Sequence, residues 1–326
     1  MKILLTGATG YIGKRLLPIL VNQGHDLICC VRDKNRFYIP LEYADSITVI
    51  EVDFLKKETI DTIPLDIDAA YYLIHSMAGS ASNYDELEKT SAENFVSKIN
   101  TTQAQQVIYL SGIINDDSLS KHLSSRKKVE EVLSTGSYAM TTLRAGIIVG
   151  SGSASFEIIR DLVNKLPVMI TPKWLNTRCQ PIAINDVLEF LSKSLLNSKV
   201  YNQSFDIGGP NILTYKEMLL AFAKAKNLKR WIFTVPVMTP KLSSYWLYFV
   251  TSTSYKLAAA LVSSMKVEVV CRDTKINQIL NVTPMKYDMA LSRALLKVQE
   301  NNVLSSWKDS LVSGRFKTNI SAYLKV

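Results

Sequence analysis

Apolar residues along the first half of the chain recur in short runs, and polar segments with helical spacing separate most of them. Most runs contain no polar interruption, which is typical of strands covered on both faces of a parallel sheet. The pattern therefore predicts an α/β fold with a doubly wound parallel sheet. The predicted strands are KILLT (2–6), DLICCV (26–31), ITVIEV (47–52), AAYYLI (69–74), QVIYLS (106–111) and TTLRAGIIV (141–149), with helices from about Tyr11, near 84–101 and near 121–134.

The regular alternation weakens after about residue 150. SFEIIRDLVNKL (155–166) and TYKEMLLAFAKAKNL (214–228) predict helices in an otherwise mixed region. We therefore expect a sheet domain over residues 1–155 and a smaller mixed α/β lobe over 156–326, with some segments returning to the core of the first domain. This lobe would lie over the carboxyl edge of the sheet, where open α/β sheets bind ligands.

One apolar stretch, SSYWLYFVTSTSYKLAAALVSSM (243–265), is long enough to raise the question of a membrane span. Lys256 lies near its middle and Ser and Thr recur, which raises the cost of insertion. The stretch therefore favours a buried or partner-facing helix pair over a membrane span, and peripheral membrane contact is a further alternative. The N-terminus lacks the apolar region of a signal peptide, so we expect a cytoplasmic protein.

Composition excludes some functions. Hydrophobic residues make up 47% and charged residues 21%, as in globular proteins with a sizeable core. The net charge is +9, but basic residues are scattered, so we expect no nucleic-acid partner. The three histidines are far apart, and the cysteines form no CxxC pair, so we expect no metal site and buried, reduced thiols. The cysteines are Cys29, Cys30, Cys179 and Cys271.

The segment TGATGYIG, residues 6–13, places three glycines between the first predicted strand and the first helix. Gly7 permits a tight turn, Gly10 a close approach to a pyrophosphate, and Gly13 a close helix–strand contact. The helix N-terminus adds oriented N–H groups for the phosphates. The segment predicts a dinucleotide site of the Rossmann type; the alternative is a tight turn without ligand. The predicted contacts are Gly7, Thr9, Gly10, Tyr11, Ile12 and Gly13.

The end of the second predicted strand bears on the choice of cofactor. Arg32 occupies the position where a site that prefers NAD usually carries an acid, and Lys34 and Arg36 follow it. A guanidinium can pair two oxygens of a 2′-phosphate, which favours NADP and leaves NAD possible. Asp33 could reach the ribose after a small backbone shift, and Arg32 could instead be a solvated loop charge.

Seven segments in order resemble the atypical and extended branch of the short-chain dehydrogenase/reductase superfamily. This group includes NmrA-like redox-sensing regulators and NAD(P)H-binding proteins labelled as nucleoside-diphosphate-sugar epimerases. The resemblance covers nearly the whole chain. Its segments are TGATGYIG (6–13), VDF (52–54), YYLIHSM (71–77), YLSG (109–112), LRAGIIVGSGS (143–153), QPIAINDV (180–187) and FDIGGPNILTYKEM (205–218).

The resemblance implies roles along the adenosine half of the cofactor. It places Asp53 at the adenine amine and Phe54 beside the ring, although Asp53 alone would be interpreted as a helix N-cap. It places Leu73, Ile74 and His75 along the adenine ribose and the diphosphate.

At the other end of the cofactor, the resemblance implies that Ser111 orients a substrate carbonyl and that Asp186 has a structural capping role. The segment implied to lie beside the nicotinamide consists of Arg144, Ala145 and Gly146.

The family's Tyr-x-x-x-Lys pair, which supplies a proton and a nearby cation, is absent. In KHLSSRKKVEEVL (121–133) His122 takes the Tyr position and Arg126 the Lys position. Four residues apart on a helix, they could share one face and act together, or both could lie on a solvated face. His75 is a further candidate donor because it follows a central strand, with Tyr84 and Tyr138 as others.

The sequence therefore leaves three functional hypotheses. The first is an NADP(H)-dependent oxidoreductase that acts on an unidentified small carbonyl or alcohol. The second is a non-catalytic protein that senses the NAD(P)H redox state or supports assembly of a complex. The third, a nucleoside-diphosphate-sugar epimerase, depends on the resemblance alone.

Overall fold

The computed structural model describes residues 1–75, 84–115, 121–235, 265–300 and 303–307. Seven of its strands are β1 (Lys2–Leu5), β2 (Asp26–Val31), β3 (Ile47–Glu51), β4 (Ala69–Tyr72), β5 (Gln106–Gly112), β6 (Ala139–Ala145) and β11 (Gln203–Ile207). They are parallel and form one sheet in the order β3-β2-β1-β4-β5-β6-β11, which confirms the predicted α/β fold.

Helices cover both faces of this sheet. On one face α1 (Gly13–Asn22) and α6 (Ile184–Ser194) pack on alternate residues of the central strands, such as Leu5 and Cys29. On the other face α3 (Tyr84–Ile99) and α4 (Lys121–Leu133) pack on the intervening residues, such as Leu4 and Ile28. The uninterrupted apolar runs follow from this double coverage, because neither face of a central strand meets water.

A second core lies in the C-terminal lobe, where α5 (Ala154–Lys165), α7 (Tyr215–Ala225) and α9 (Tyr287–Gln299) pack together. Three two-stranded sheets accompany them: β7 (Ile148–Val149) with β10 (Ile182–Ala183), β8 (Val168–Pro172) with β13 (Trp231–Val235), and β9 (Arg178–Cys179) with β12 (Leu213–Thr214). Two short α-helices, α2 (Lys57–Ile60) and α8 (Lys275–Ile279), also lie in the described ranges, together with 3-10 helices at Lys34–Arg36, Leu41–Ser46, Lys173–Asn176 and Ser198–Val200.

One predicted strand is divided. The apolar pattern predicts a continuous strand over 141–149, but β6 ends at Ala145 and β7 pairs with β10 outside the main sheet. Gly146 lies at the break, and a Cβ there would stand 3.2 Å from the Gln180 carbonyl oxygen. The break lets the chain leave the sheet and enter the second lobe.

The apolar stretch 243–265 lies outside the described residues except for Met265, which packs against the second core. No helix in the described ranges has the length and apolarity that a membrane crossing requires. All four cysteines are free; Cys29, Cys30 and Cys179 are buried, and Cys271 is half-buried.

Candidate functional site

The glycine-rich loop lies where the sheet changes winding direction. The chain leaves β1 for α1 on one face, whereas β4 precedes α3 on the opposite face. The carboxyl ends of β1 and β4 therefore flank the crevice in which doubly wound sheets bind ligands. Residues 6–13 follow β1, and residues 73–75 follow β4.

The glycine positions have separate steric reasons. Gly7 has φ +66°, and a Cβ there would stand 2.6 Å from the Leu73 carbonyl oxygen. A Cβ on Gly13 would collide with the Gly7 carbonyl oxygen, so the first turn of α1 packs directly on the loop. A Cβ on Gly10, by contrast, would have a single described heavy atom within 4 Å, the Gly7 oxygen at 3.1 Å. The loop is thus tightly packed at Gly7 and Gly13, whereas space remains open at Gly10.

Thr6 joins the two strands at this point. Its backbone N–H and its hydroxyl both donate to the Tyr71 carbonyl, at 3.1 and 2.9 Å, and its Oγ1 accepts from Leu73 N–H at 3.1 Å. The crevice floor is therefore held by hydrogen bonds between β1 and β4, independently of any ligand.

These features fit the pyrophosphate of a dinucleotide. The first turn of α1 contains no acidic residue, so its N-terminal N–H groups and partial positive charge are not neutralised within that turn. Together with the open space above Gly10, this gives a phosphate close access to backbone donors.

The end of β2 contains the two residues on which the predicted preference between NADP and NAD depends. Asp33 caps the short helix Lys34–Arg36, because its Oδ1 accepts from Asn35 N–H at 3.0 Å. Arg32 is exposed directly after β2, and Lys34 beside it is also exposed. Cationic side chains therefore flank this end while the carboxylate is engaged by its own loop.

Asp53 and Phe54 have local contacts. Asp53 Oδ1 accepts from Leu55 N–H at 3.1 Å in a turn, and α2 begins later, at Lys57. The Phe54 ring is buried against Phe95 of α3, with 5.6 Å between ring centroids. The structure thus places Phe54 in the core beneath the sheet edge, with its carbonyl accepting a hydrogen bond from the Asn94 amide.

Arg15 holds the glycine-rich loop against the second lobe. Its Nη2 donates to the Ser151 and Ser305 carbonyls, at 2.8 and 3.3 Å, and its guanidinium stacks on the Tyr11 ring. The Ser305 hydroxyl in turn donates to the Tyr11 carbonyl at 3.1 Å. Residues 303–307 thus support the outer side of the loop.

A buried polar cluster joins the end of β4 to two helices. His75 Nδ1 lies 3.1 Å from Glu88 Oε1 of α3, and the Ser125 hydroxyl of α4 donates to Glu88 Oε2 at 2.5 Å. An ionised Glu88 can only accept hydrogen bonds, so Nδ1 carries the imidazole proton and Nε2 is an acceptor in the neutral ring. Glu88 therefore sets both the tautomer and the orientation of His75.

Burial lowers the pKa of His75 from 6.5 to about 4. The Arg126 guanidinium acts in the same direction, and the Glu88 carboxylate opposes both. His75 is therefore a neutral proton acceptor at neutral pH rather than a cationic proton donor.

This depressed pKa predicts a pH-dependent stability. The unfolded chain protonates His75 at a higher pH than the folded chain, so the stability due to the neutral ring is complete above about pH 6.5 and is lost as pH falls through about 4. The free energy of unfolding of wild type relative to His75→Gln should therefore decrease by about 2–3 kcal/mol between neutral pH and pH 4. Urea unfolding at several pH values measures this difference, and a constant difference would contradict the prediction.

Ser111 and the guanidinium of Arg126 both lie at the carboxyl end of β5. The Ser111 hydroxyl is buried, and the Tyr109 hydroxyl is its polar neighbour. Arg126 turns towards the sheet, where its Nη1 donates to the Leu110 carbonyl at 2.8 Å, while Lys127 and Lys128 are exposed. Arg126 thus brings a positive charge to the same strand end as Ser111. His122 lies in the first turn of α4, but its side chain lies outside the described residues.

The segment at the end of β6 is held by an ion pair. The Arg144 guanidinium binds both carboxylate oxygens of Glu130 on α4, at 2.6 and 3.2 Å, and Ser204 donates to the same carboxylate. Ala145 is buried and Gly146 packs against Val269 of the second lobe. The backbone of this segment therefore lies where the two lobes meet.

Two further predicted residues have structural contacts. Asp186, in the first turn of α6, accepts from Met285 N–H at 2.9 Å and so ties α6 to the segment before α9. Burial raises its carboxyl pKa. Tyr138 lies at the amino end of β6, on the sheet edge opposite the glycine-rich loop, and donates to the Leu133 carbonyl. The side chain of Tyr84 lies outside the described residues.

Thr6, Glu88, Ser125 and Arg15 belong to this region but were not predicted from the sequence. A signal exists for Glu88, which lies four, eight and eleven residues before the buried Ala92, Val96 and Ile99 of α3. A carboxylate on the apolar face of a helix requires a buried partner.

Comparison with known proteins supports the predicted NAD(P)H-binding site. Residues 7–153 match the sequence profile of a family of NAD(P)H-binding proteins. The chloroplastic divinyl chlorophyllide a 8-vinyl-reductase of Arabidopsis thaliana is 22% identical over 227 residues, which are 64% of this chain and 54% of that protein. The photosystem II assembly factor Ycf39 of Guillardia theta is 20% identical over 278 residues, 82% of this chain and 85% of that protein. The chain spans about half the length of the chlorophyllide reductases that it matches.

A solved structure agrees over most of the chain. Triphenylmethane reductase of Citrobacter sp., complexed with NADP(H), superposes with a TM-score of 0.71 at 14% identity, covering 90% of this chain and 100% of that one. At such identity the likeness establishes the fold and leaves the substrate open. Over residues 7–153 the chain matches a family of NAD(P)H-binding proteins, and its fold is a Rossmann-like α/β fold.

Proposed function

We propose that this protein is an NADP(H)-dependent oxidoreductase that acts on a small carbonyl or alcohol substrate. The observation that carries the proposal is the crevice between β1 and β4, where an open glycine-rich loop meets a helix N-terminus free of acidic residues in its first turn. The similarity to two reductases, one of them complexed with NADP(H), supports a redox role over simple nucleotide binding.

The preference for NADP over NAD follows from the end of β2. A site that prefers NAD holds the ribose hydroxyls with a carboxylate, but Asp33 is already engaged with Asn35 N–H. Arg32 and the exposed Lys34 supply positive charge where a 2′-phosphate would lie.

Replacing Arg32 with serine tests this preference. We expect the Kd for NADPH to rise by about 10- to 100-fold, since a charge-assisted contact is lost, while the Kd for NADH changes by less than about threefold. Calorimetric titration with both cofactors measures the two values. Lys57→Ser, which removes an exposed lysine from α2, is the matched control and should change neither.

An equal loss of affinity for both cofactors in Arg32→Ser would contradict phosphate recognition by Arg32. Absence of binding of either cofactor to the wild-type chain would contradict the proposed function as a whole.

Bound NADPH would supply the hydride, and this chain would supply charge, position and a proton. Arg126 places a permanent cation at the end of β5, where it lowers the cost of negative charge on a substrate oxygen. The buried Ser111 hydroxyl can donate a hydrogen bond to that oxygen. Neutral His75 can accept a proton or a hydroxyl hydrogen bond, which leaves His122 as the candidate proton donor.

A non-catalytic role is the second candidate. Its support is the missing Tyr-x-x-x-Lys pair and the similarity to an assembly factor along 82% of this chain. Oxidation of NADPH in the presence of a panel of quinones, aldehydes and ketones, followed by absorbance, distinguishes the two. Turnover that is lost in His122→Ala while NADPH binding is retained would exclude the non-catalytic role.

A further inference from the structure

The small sheet of β8 and β13 has one face in the core and one apolar face in solvent. Met169 and Ile232 point into the second core. The alternate residues point outward in two registered pairs, Val168 with Trp231 and Ile170 with Phe233. Their exposed fractions are 50, 54, 55 and 58% in that order. Outward positions of a half-buried strand are normally polar, so these four residues, here called the β8–β13 patch, form an unusual surface.

Cations surround the β8–β13 patch at both ends. Exposed Lys229 precedes β13, and exposed Lys173 follows β8. Because the strands are parallel, the start of β13 and the end of β8 lie at opposite ends of the patch. Apolar side chains bordered by lysines are typical of surfaces that insert into the headgroup region while cations contact lipid phosphates.

The two described segments that form the patch are basic. Residues 218–235, which contain β13, include four Lys or Arg residues and no Asp or Glu. The segment 162–174, which contains β8, also contains two lysines and no acid. Pairing two such faces from two copies of the chain would bring like charges together, which disfavours a dimer through this surface.

We propose that the β8–β13 patch docks this protein peripherally on a membrane surface rich in anionic lipids. Trp231 and Phe233 enter the boundary between headgroups and acyl chains, and Lys173 and Lys229 contact the phosphates. This inference concerns a surface and does not depend on the proposed oxidoreductase activity.

Co-sedimentation of the full chain with vesicles tests the proposal. Vesicles of phosphatidylcholine with about one third phosphatidylserine should bind the wild type, and vesicles of phosphatidylcholine alone should bind it at least about tenfold more weakly. The double variant Trp231→Ser/Phe233→Ser should lower binding to the anionic vesicles by about tenfold or more. The control Met289→Ser/Leu296→Ser removes two side chains of similar exposure, 52 and 54%, from α9 and should bind as the wild type does.

The thermal unfolding midpoint of each variant shows whether it is folded. If Trp231→Ser/Phe233→Ser does not fold, the charge variant Lys173→Glu/Lys229→Glu tests the proposal instead. Both lysine side chains are exposed, so this variant should fold, and its binding to anionic vesicles should be lost. Absence of wild-type binding, or equal binding by patch and control variants, would overturn the proposal. A patch variant that converts a dimer into a monomer in light scattering, without any change in lipid binding, would assign the surface to a second copy of the chain instead.

Discussion

Replacing Gly7 with alanine is expected to weaken NADPH binding by at least about a hundredfold, which corresponds to about 3 kcal/mol. Gly7 has φ +66°, a conformation that costs an L-residue about 1–2 kcal/mol. The added Cβ would also stand 2.6 Å from the backbone oxygen of Leu73, which has no flexible end that could move away. The loop and the end of β4 must therefore separate, and this separation opens the crevice that would bind the pyrophosphate. Calorimetric titration with NADPH measures the loss.

Gly24→Ala is the matched control for this substitution. Gly24 also has a positive φ, +80°, but no described heavy atom lies within 4 Å of a Cβ built there. The control should lose a similar amount of stability to backbone strain and retain its affinity for NADPH. Equal affinities of the two variants would show that Gly7 contributes only to stability and has no role in the binding site.

The central strands could be predicted from the sequence because burial on both faces leaves a local signal. The run DLICCV predicts a strand over 26–31, and β2 occupies Asp26–Val31. The glycine-rich loop could also be predicted, since Gly13 packs on Gly7 only six positions away, although the contact that excludes a side chain at Gly7 is with the distant Leu73. Both predictions depended on short-range pattern rather than on tertiary contacts.

The elements that were missed depend on distant partners. Strand β11, Gln203–Ile207, begins with two exposed residues and joins the sheet only by pairing with β6. The break after Ala145 depends on the approach of Gln180 and Val269 from the second lobe. The pairing of β11 with β6 and the contacts at the break do not change the local pattern of apolar residues. The periodicity of the sequence therefore could not predict either feature.

Within the candidate site, the polar cluster of His75, Glu88 and Ser125 likewise depends on residues that are distant in the sequence. Its members lie 13 and 37 residues apart in the chain, on a strand end and two helices. The sequence identified His75 as a candidate proton donor, but the carboxylate that fixes its tautomer becomes apparent only when α3 and α4 pack together. In its buried position beside Glu88 and Arg126, His75 is neutral and acts as a proton acceptor, whereas the sequence suggested a proton donor.

Truncating Glu88 to alanine should lower the free energy of unfolding by about 2–4 kcal/mol. The substitution leaves the buried Ser125 hydroxyl and His75 Nδ1–H without their acceptor, and it opens a cavity between α3 and α4. Urea unfolding at neutral pH measures the change. Glu93→Ala on the same helix removes an exposed carboxylate that pairs with Lys89, and it should change the stability by less than about 0.5 kcal/mol.

Glu88→Gln separates hydrogen bonding from charge within this cluster. The glutamine Oε1 can still accept from His75 Nδ1–H, and its amide can donate to the Ser125 oxygen, so most of the stability lost in Glu88→Ala should return. The negative charge that raises the pKa of His75 is absent, so His75 in Glu88→Gln should titrate at a still lower pH than in the wild type. NMR titration of the His75 ring measures this shift. A higher His75 pKa in Glu88→Gln, or stability no better than that of Glu88→Ala, would show that Glu88 does not hold the ring in the way that the contacts indicate.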